Sequence, residues 1–132
     1  MSSHRFDPAR ETYVSLVTFR RDGREVRTPV WIAEADGRYY VFSEGDAGKV
    51  KRIRATKLVR LAACNYRGVV RGDWIDGLGR VVKERDVIER ALASLRRKYG
   101  WRMKIGDVLS KLSGRYDKRA FLEIELARAT EA

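Results

Sequence analysis

Three Asp-Gly pairs, Asp22-Gly23, Asp36-Gly37 and Asp76-Gly77, each stand between runs rich in β-branched and aromatic residues. Asp-Gly is the strongest short-range hairpin signal, because both central positions of a type I′ turn need a positive φ. The pattern commits most of the chain to short antiparallel strands. Tyr13 to Arg20 forms the first, rich in Val, Tyr, Phe and Thr and apolar on both faces. Arg21 to Arg24 is its turn and Val26 to Glu34 the return strand. On that strand Val26, Thr28, Val30 and Ile32 share one face, with Trp31 and Ala33 on the other. Asp36-Gly37 leads into a third strand, Arg38 to Ser43, so the first third is expected to be an antiparallel meander.

Farther along, Asp46 suits an N-cap for a short helix from Ala47 to Ala55, with Val50 and Ile53 facing inward. Leu58 to Cys64 is the next strand. Val69 to Ile75 and Leu78 to Lys83 are expected as a hairpin around Asp76-Gly77. Glu84 to Tyr99 carries Val87, Ile88, Ala91, Leu92, Leu95 and Tyr99 as one stripe at helical spacing, and Gly100 follows as a natural C′ residue. Trp101 to Leu112 is a weaker helical or irregular segment. Ala120 to Leu126 alternates Leu122, Ile124 and Leu126 with Glu123 and Glu125, a closing strand with one wet face. Many short antiparallel strands with few helices argue for a mainly β fold closed into a barrel, which removes sheet edges.

A length of 132 residues suits one domain, with residues 1–11 as an N-terminal tail. No stretch approaches the roughly 20 apolar residues of a membrane span, and the N-terminus lacks the apolar run of a signal peptide. Cys64 is the sole cysteine, so no internal disulfide forms and a cytoplasmic setting is expected. His4 is the sole histidine, which argues against a His-based triad or a metal site. No CxxC, Walker-type loop or Rossmann fingerprint is present. Cys64, at the end of an apolar strand with no histidine to activate it, has the character of a small buried hydrophobe. No catalytic side chain can be named, so any hard chemistry belongs to a cofactor.

The net charge of +11 predicts attraction to anions. Nucleic acid, a solvated basic surface and an anionic small molecule all satisfy it. The position of the charge is more informative. Ala47-Gly48-Lys49-Val50-Lys51-Arg52-Ile53-Arg54 follows directly after the strand Tyr39 to Ser43. It sets a glycine-bearing loop and a cationic helix start at a strand end, and exposed N–H groups with ammonium groups nearby are what a phosphate needs. Thr28-Pro29-Val30-Trp31 places a proline and a tryptophan inside another strand. Pro29 cannot extend the ladder on its N–H side, and such a gap lets a planar ring approach the backbone. Together these segments point to a phosphate-bearing cofactor with a flat ring.

Val17 to Gly23, Thr28 to Trp31, Asp36 to Tyr40, Ala47 to Arg54 and the pair Arg67-Gly68 occur in that order. The series resembles the pyridoxamine 5'-phosphate oxidase-like split-barrel superfamily, and within it the flavin- and deazaflavin (F420)-dependent oxidoreductases, over Thr12 to Leu126. The resemblance implies a six-stranded antiparallel split barrel of FMN-binding type. It also implies a homodimer with cofactor sites at the subunit interface, and coenzyme F420, or alternatively FMN, as cofactor. By that resemblance Lys49 holds the phosphate, with Ser43, Ala47 and Gly48 as hydroxyl and backbone donors. Arg52, three residues on, shares the face of Lys49. Thr28, Pro29, Val30 and Trp31 line the ring, and Arg27 stands near where oxidase relatives carry a phosphate-binding arginine. Arg67 reaches the cofactor or the partner subunit, and Trp74 and Tyr116 are candidates to roof the ring. Oxidase relatives carry a lysine near the position of Ile32, a departure that argues against a genuine pyridoxamine-phosphate oxidase. The implied activity is hydride transfer between a bound (deaza)flavin and an unsaturated organic small molecule. A cofactor carrier without turnover and a basic nucleic-acid-binding barrel are the other two readings.

Overall fold

The computed structural model describes residues 7–44, 48–100 and 119–127. Strands β1 (Tyr13–Phe19) and β2 (Glu25–Val30) pair as a hairpin, Ser15 opposite Pro29 and Val17 opposite Arg27. The Asp22 carboxylate fastens the turn, accepting from the Arg24 N–H at 3.0 Å and its Nε at 2.8 Å. Strands β3 (Ala33–Ala35) and β4 (Arg38–Glu44) pair across Asp36 and Gly37, whose φ values of 54° and 83° suit a type I′ turn.

These hairpins do not join into the expected meander. With β5 (Leu58–Cys64), β6 (Ile75–Val82) and β7 (Arg119–Leu126), the sheet order is β2-β1-β5-β6-β7-β4-β3. The single strand expected from Val26 to Glu34 breaks at Trp31-Ile32, which makes seven strands rather than six. Its halves lie at opposite edges of the sheet, yet Val30 and Ala33 are separated by at most about 11 Å of chain. The sheet therefore curls until its edges meet at that corner, giving an antiparallel half-barrel. Facing alternates without a slip through the break: Val30 and Ile32 join the inner cluster, Trp31 and Ala33 the outer one.

The concave side is filled by Val14, Leu16, Val41, Leu61, Leu122 and Ile124. Helix α1 (Gly48–Thr56) crosses it, and Val50 and Ile53 are completely buried there. Burial of each contributes about 1.5–3 kcal/mol. Helix α2 (Arg85–Tyr99) lies on the convex side, where Ala91, Leu95 and Tyr99 pack against Ala33, Tyr40, Val82 and Phe121.

The third Asp-Gly pair is not a turn. Asp76 and Gly77 lie within β6, opposite Arg60 and Val59. Gly77 is required there by close approach, since a Cβ at that position would lie 2.9 Å from the Glu125 carbonyl oxygen. The expected hairpin of Val69 to Ile75 with Leu78 to Lys83 is replaced by one strand, preceded by a loop that adds a single bridge, Cys64 to Val70. The expected Asp46 cap and the segment Trp101 to Leu112 lie outside the described residues. No described helix is long and apolar enough to cross a membrane.

Candidate cofactor site

Alternation along β2 divides the nominated residues between two faces. On the inner face Thr28 stands opposite Leu16, Val26 opposite Thr18 and Val30 opposite Val14. Val30 is buried in the core, whereas Thr28 is half-buried. Thr18 is 1% exposed and accepts a 2.7 Å hydrogen bond from Arg52 Nε. The Arg52 guanidinium folds back over the start of α1, where a Cβ on Gly48 would meet its Nη1 at 2.7 Å. Successive pairings make β4 run parallel to β1, so Ser43, on the same side of β4 as Val41, lies at the Thr18 end of the sheet. The concave face thus brings Ser43, Gly48, Lys49 and Arg52 to one end, while Thr28 shares that face farther along β2, opposite Leu16. Ala47 lies outside the described residues.

The electrostatics of that end are distinctive. Burial, and secondarily the neighbouring Arg20, push the Arg52 guanidinium below its ordinary pKa. The first turn of α1 holds no acidic residue. Among the described residues, the ion pairs engage Arg10, Arg24, Arg27, Arg38, Arg60, Arg71, Arg80 and Arg90, and none involves Arg20, Arg21, Lys51, Arg52 or Arg54. Arg52 is held by Thr18 beside a helix start whose described first turn carries no acidic residue, and Arg20 adds to the positive field there. That donor set fits an anionic group such as a phosphate.

The outer face carries Arg27 and Pro29. Arg27 lies 4.9 Å above the Trp74 ring, Arg60 lies 5.3 Å from the same ring, and both arginines pair with Glu25. Arg27 is thereby engaged on the side of β2 opposite Arg52. Gly68 sits against Pro29, where a Cβ would lie 3.7 Å from Pro29 Cδ, and its φ of 89° favours glycine. Arg67 belongs to a turn organised by Asn65, whose Oδ1 accepts from the N–H groups of Arg67 and Val69 at 2.9 and 3.0 Å. Its side chain folds onto Tyr66, donating from Nε to the hydroxyl at 3.0 Å. Trp31 stacks flat on Tyr99, with centroids 4.3 Å apart and planes 6° apart, on the α2 side. Tyr116 lies outside the described residues.

Sequence reasoning passed over Thr18 and Arg20. A signal existed for Thr18, a polar residue closing the inward series Val14, Leu16. Arg20 had none beyond its charge. Cys64 is buried, and burial pushes its thiol pKa up, so it is not an activated nucleophile. An open groove on the sheet, lined by Leu58, Asp76, Gly77, Leu78, Glu125 and Leu126, contains none of the nominated residues.

No family model and no curated protein sequence matches the chain. Solved structures do. The heme storage protein HutZ of Vibrio cholerae superposes with a TM-score of 0.70 at 13% identity, over 92% of this chain and 86% of that one. A Clostridium acetobutylicum protein of the pyridoxinephosphate oxidase family gives 0.62 at 13% identity, over 88% and 75%. An F420 reductase gives 0.58 at 16% identity, over 91% and 90%. This is the split-barrel fold of the pyridoxamine 5'-phosphate oxidase-like proteins. In this fold the candidate site described above lies at the end of the concave face where α1 begins.

Proposed function

We propose that this split barrel binds a phosphate-bearing deazaflavin, with FMN as the alternative, and serves as an oxidoreductase acting on an unsaturated organic small molecule. The observation that carries the reading is the Arg52 guanidinium, held by Thr18 beside a described α1 first turn that carries no acidic residue. An F420 reductase and a pyridoxinephosphate oxidase-family protein among the structural neighbours support it. F420 is preferred because its tail carries several carboxylates, and Arg20 and Arg21 offer cationic groups beyond those one phosphate uses. The bound deazaflavin would supply the hydride.

The chain's own residues bind and orient. Lys49 and Arg52, at i and i+3 on α1, hold the phosphate together with the N–H groups of the first turn. Thr18 fixes the direction of the Arg52 guanidinium. Thr28 and the backbone beside Pro29 support the ring. The role of the protein is to position the reactants and exclude water. In this reading a second copy of the chain completes the site across a homodimer interface.

Turnover tests the proposal. Purified protein with reduced cofactor and an enone or quinone should oxidise the cofactor in a substrate-dependent manner. Lys49→Ala should raise the cofactor Kd at least about tenfold, near 1.4 kcal/mol. Cofactor binding without substrate-dependent oxidation would identify a carrier instead. Unchanged affinity in the variant would remove Lys49 from the site.

A further inference from the structure

The corner at Trp31-Ile32, where the two sheet edges meet, leaves Ile32 with a backbone N–H and C=O outside any strand ladder. Side chains from the last turn of α2 take both. The Ile32 N–H donates to the Tyr99 hydroxyl at 2.9 Å. The Ile32 carbonyl accepts from Lys98 Nζ at 2.6 Å and lies 3.1 Å from the Tyr99 hydroxyl. The same two side chains reach the segment preceding β1. Lys98 donates to the Pro8 carbonyl at 3.2 Å and Tyr99 to the Thr12 carbonyl at 2.8 Å. One helical turn therefore ties the corner, the N-terminal segment and, through the Trp31 stack, the end of β2 together.

We propose that Lys98 and Tyr99 are positioning residues: a latch from α2 that sets the corner and, through it, the direction in which β2 presents Thr28 to the cofactor. The claim about the cofactor rests on the proposed function; the latch itself does not.

The latch is linked to a proton. Burial pushes Lys98 down from 10.5 to about 8, while the Glu11 and Asp7 carboxylates pull the other way. Glu11 is partly neutralised by Arg71 at 3.3 Å, and the Tyr99 ring lies 5.2 Å from the ammonium. From the sheet, Tyr39 of β4 shares the field of Asp7 and Glu34. An unlatched Lys98, back in water, regains its ordinary pKa. Protons therefore favour the open corner. The neutral amine still has N–H groups for the two carbonyls and no charge to desolvate. Closure should strengthen as pH rises from about 8 to 10.5, by at most about tenfold per pH unit.

The test is amide hydrogen exchange of the full chain between pH 7 and 10, corrected for intrinsic rates, with cofactor affinity measured on the same samples. Lys98→Met and Tyr99→Phe should each speed exchange at the Ile32 N–H about tenfold or more while leaving Leu61 of β5 unchanged. Wild-type protection at Ile32 should climb above pH 8, and Lys98→Met should abolish that climb. Lys98→Arg, which keeps the donors but stays charged, should retain partial protection without the pH dependence. Cofactor Kd should rise in step with lost protection. Equal Ile32 protection in wild type and both variants overturns the latch. Lost protection with intact cofactor affinity overturns the positioning role. If the wild type binds neither F420 nor FMN, it is the functional reading that fails, and the exchange data alone then decide the latch.

Discussion

Single atoms decide several features of this chain. At Gly77 the nearest obstacle to a side chain is a backbone oxygen, Glu125 O at 2.9 Å, which cannot swing aside as a side chain could. Gly77→Ala should therefore destabilise the fold by about 1–3 kcal/mol, seen as a lowered midpoint in urea unfolding with an unchanged slope. Ser15 presents the opposite case. It is 1% exposed, and among the described residues its Oγ has no hydrogen-bond partner. A buried hydroxyl without a partner costs stability, so Ser15→Ala should leave the thermal midpoint unchanged or raise it. A marked fall would show that the hydroxyl is satisfied in solution. Cys64 belongs to the same scale. Its buried thiol, with a raised pKa, should react with a thiol reagent only at the rate of unfolding.

Among the elements, α1 does two jobs at once. Val50 and Ile53 plug the concave face while the residues between and beside them, Lys49, Lys51 and Arg52, carry its charge. Ile53→Ala should cost about 2–4 kcal/mol, because the cavity is walled by strands that cannot collapse into it. Legibility from sequence also varies by element. Strand β5, helix α2 and strand β7 were legible nearly to the residue, because their periodicity and flanking Gly100 are local signals. The Asp22-Gly23 and Asp36-Gly37 turns were legible for the same reason. Asp76-Gly77 was not, since the same dipeptide serves a turn by its positive φ and a strand by its missing Cβ. The break at Trp31-Ile32 was hidden because inside-outside alternation continues straight through it. What marks the break is the pair Lys98 and Tyr99, some 67 residues away for the Tyr99 contact, and no local pattern reveals such a partner.

At the scale of the whole molecule, β1 pairs with β5 and β4 with β7, so most of the sheet is built from contacts distant in sequence. That closure brings the basic start of α1 to the same end as Thr18 and Arg20. It also separates the nominated residues: Ser43, Gly48, Lys49 and Arg52 share one end of the concave face, Thr28 lies farther along that face, Arg27 and Pro29 face the other side of β2, Arg67 folds onto Tyr66 and Trp31 packs on Tyr99. The gathering could be foreseen from the order of the motifs, but the division could not, because it depends on which face each strand residue takes after the sheet curls. With a net charge of +11, affinity for an anionic cofactor should fall as salt rises, more steeply for a multiply charged tail than for a single phosphate. The most direct measurement is a parallel fluorescence titration of the purified chain with F420 and with FMN. Saturable binding of F420, tighter than FMN and weakened by Lys49→Ala, is the predicted result. Binding of neither cofactor would contradict the account.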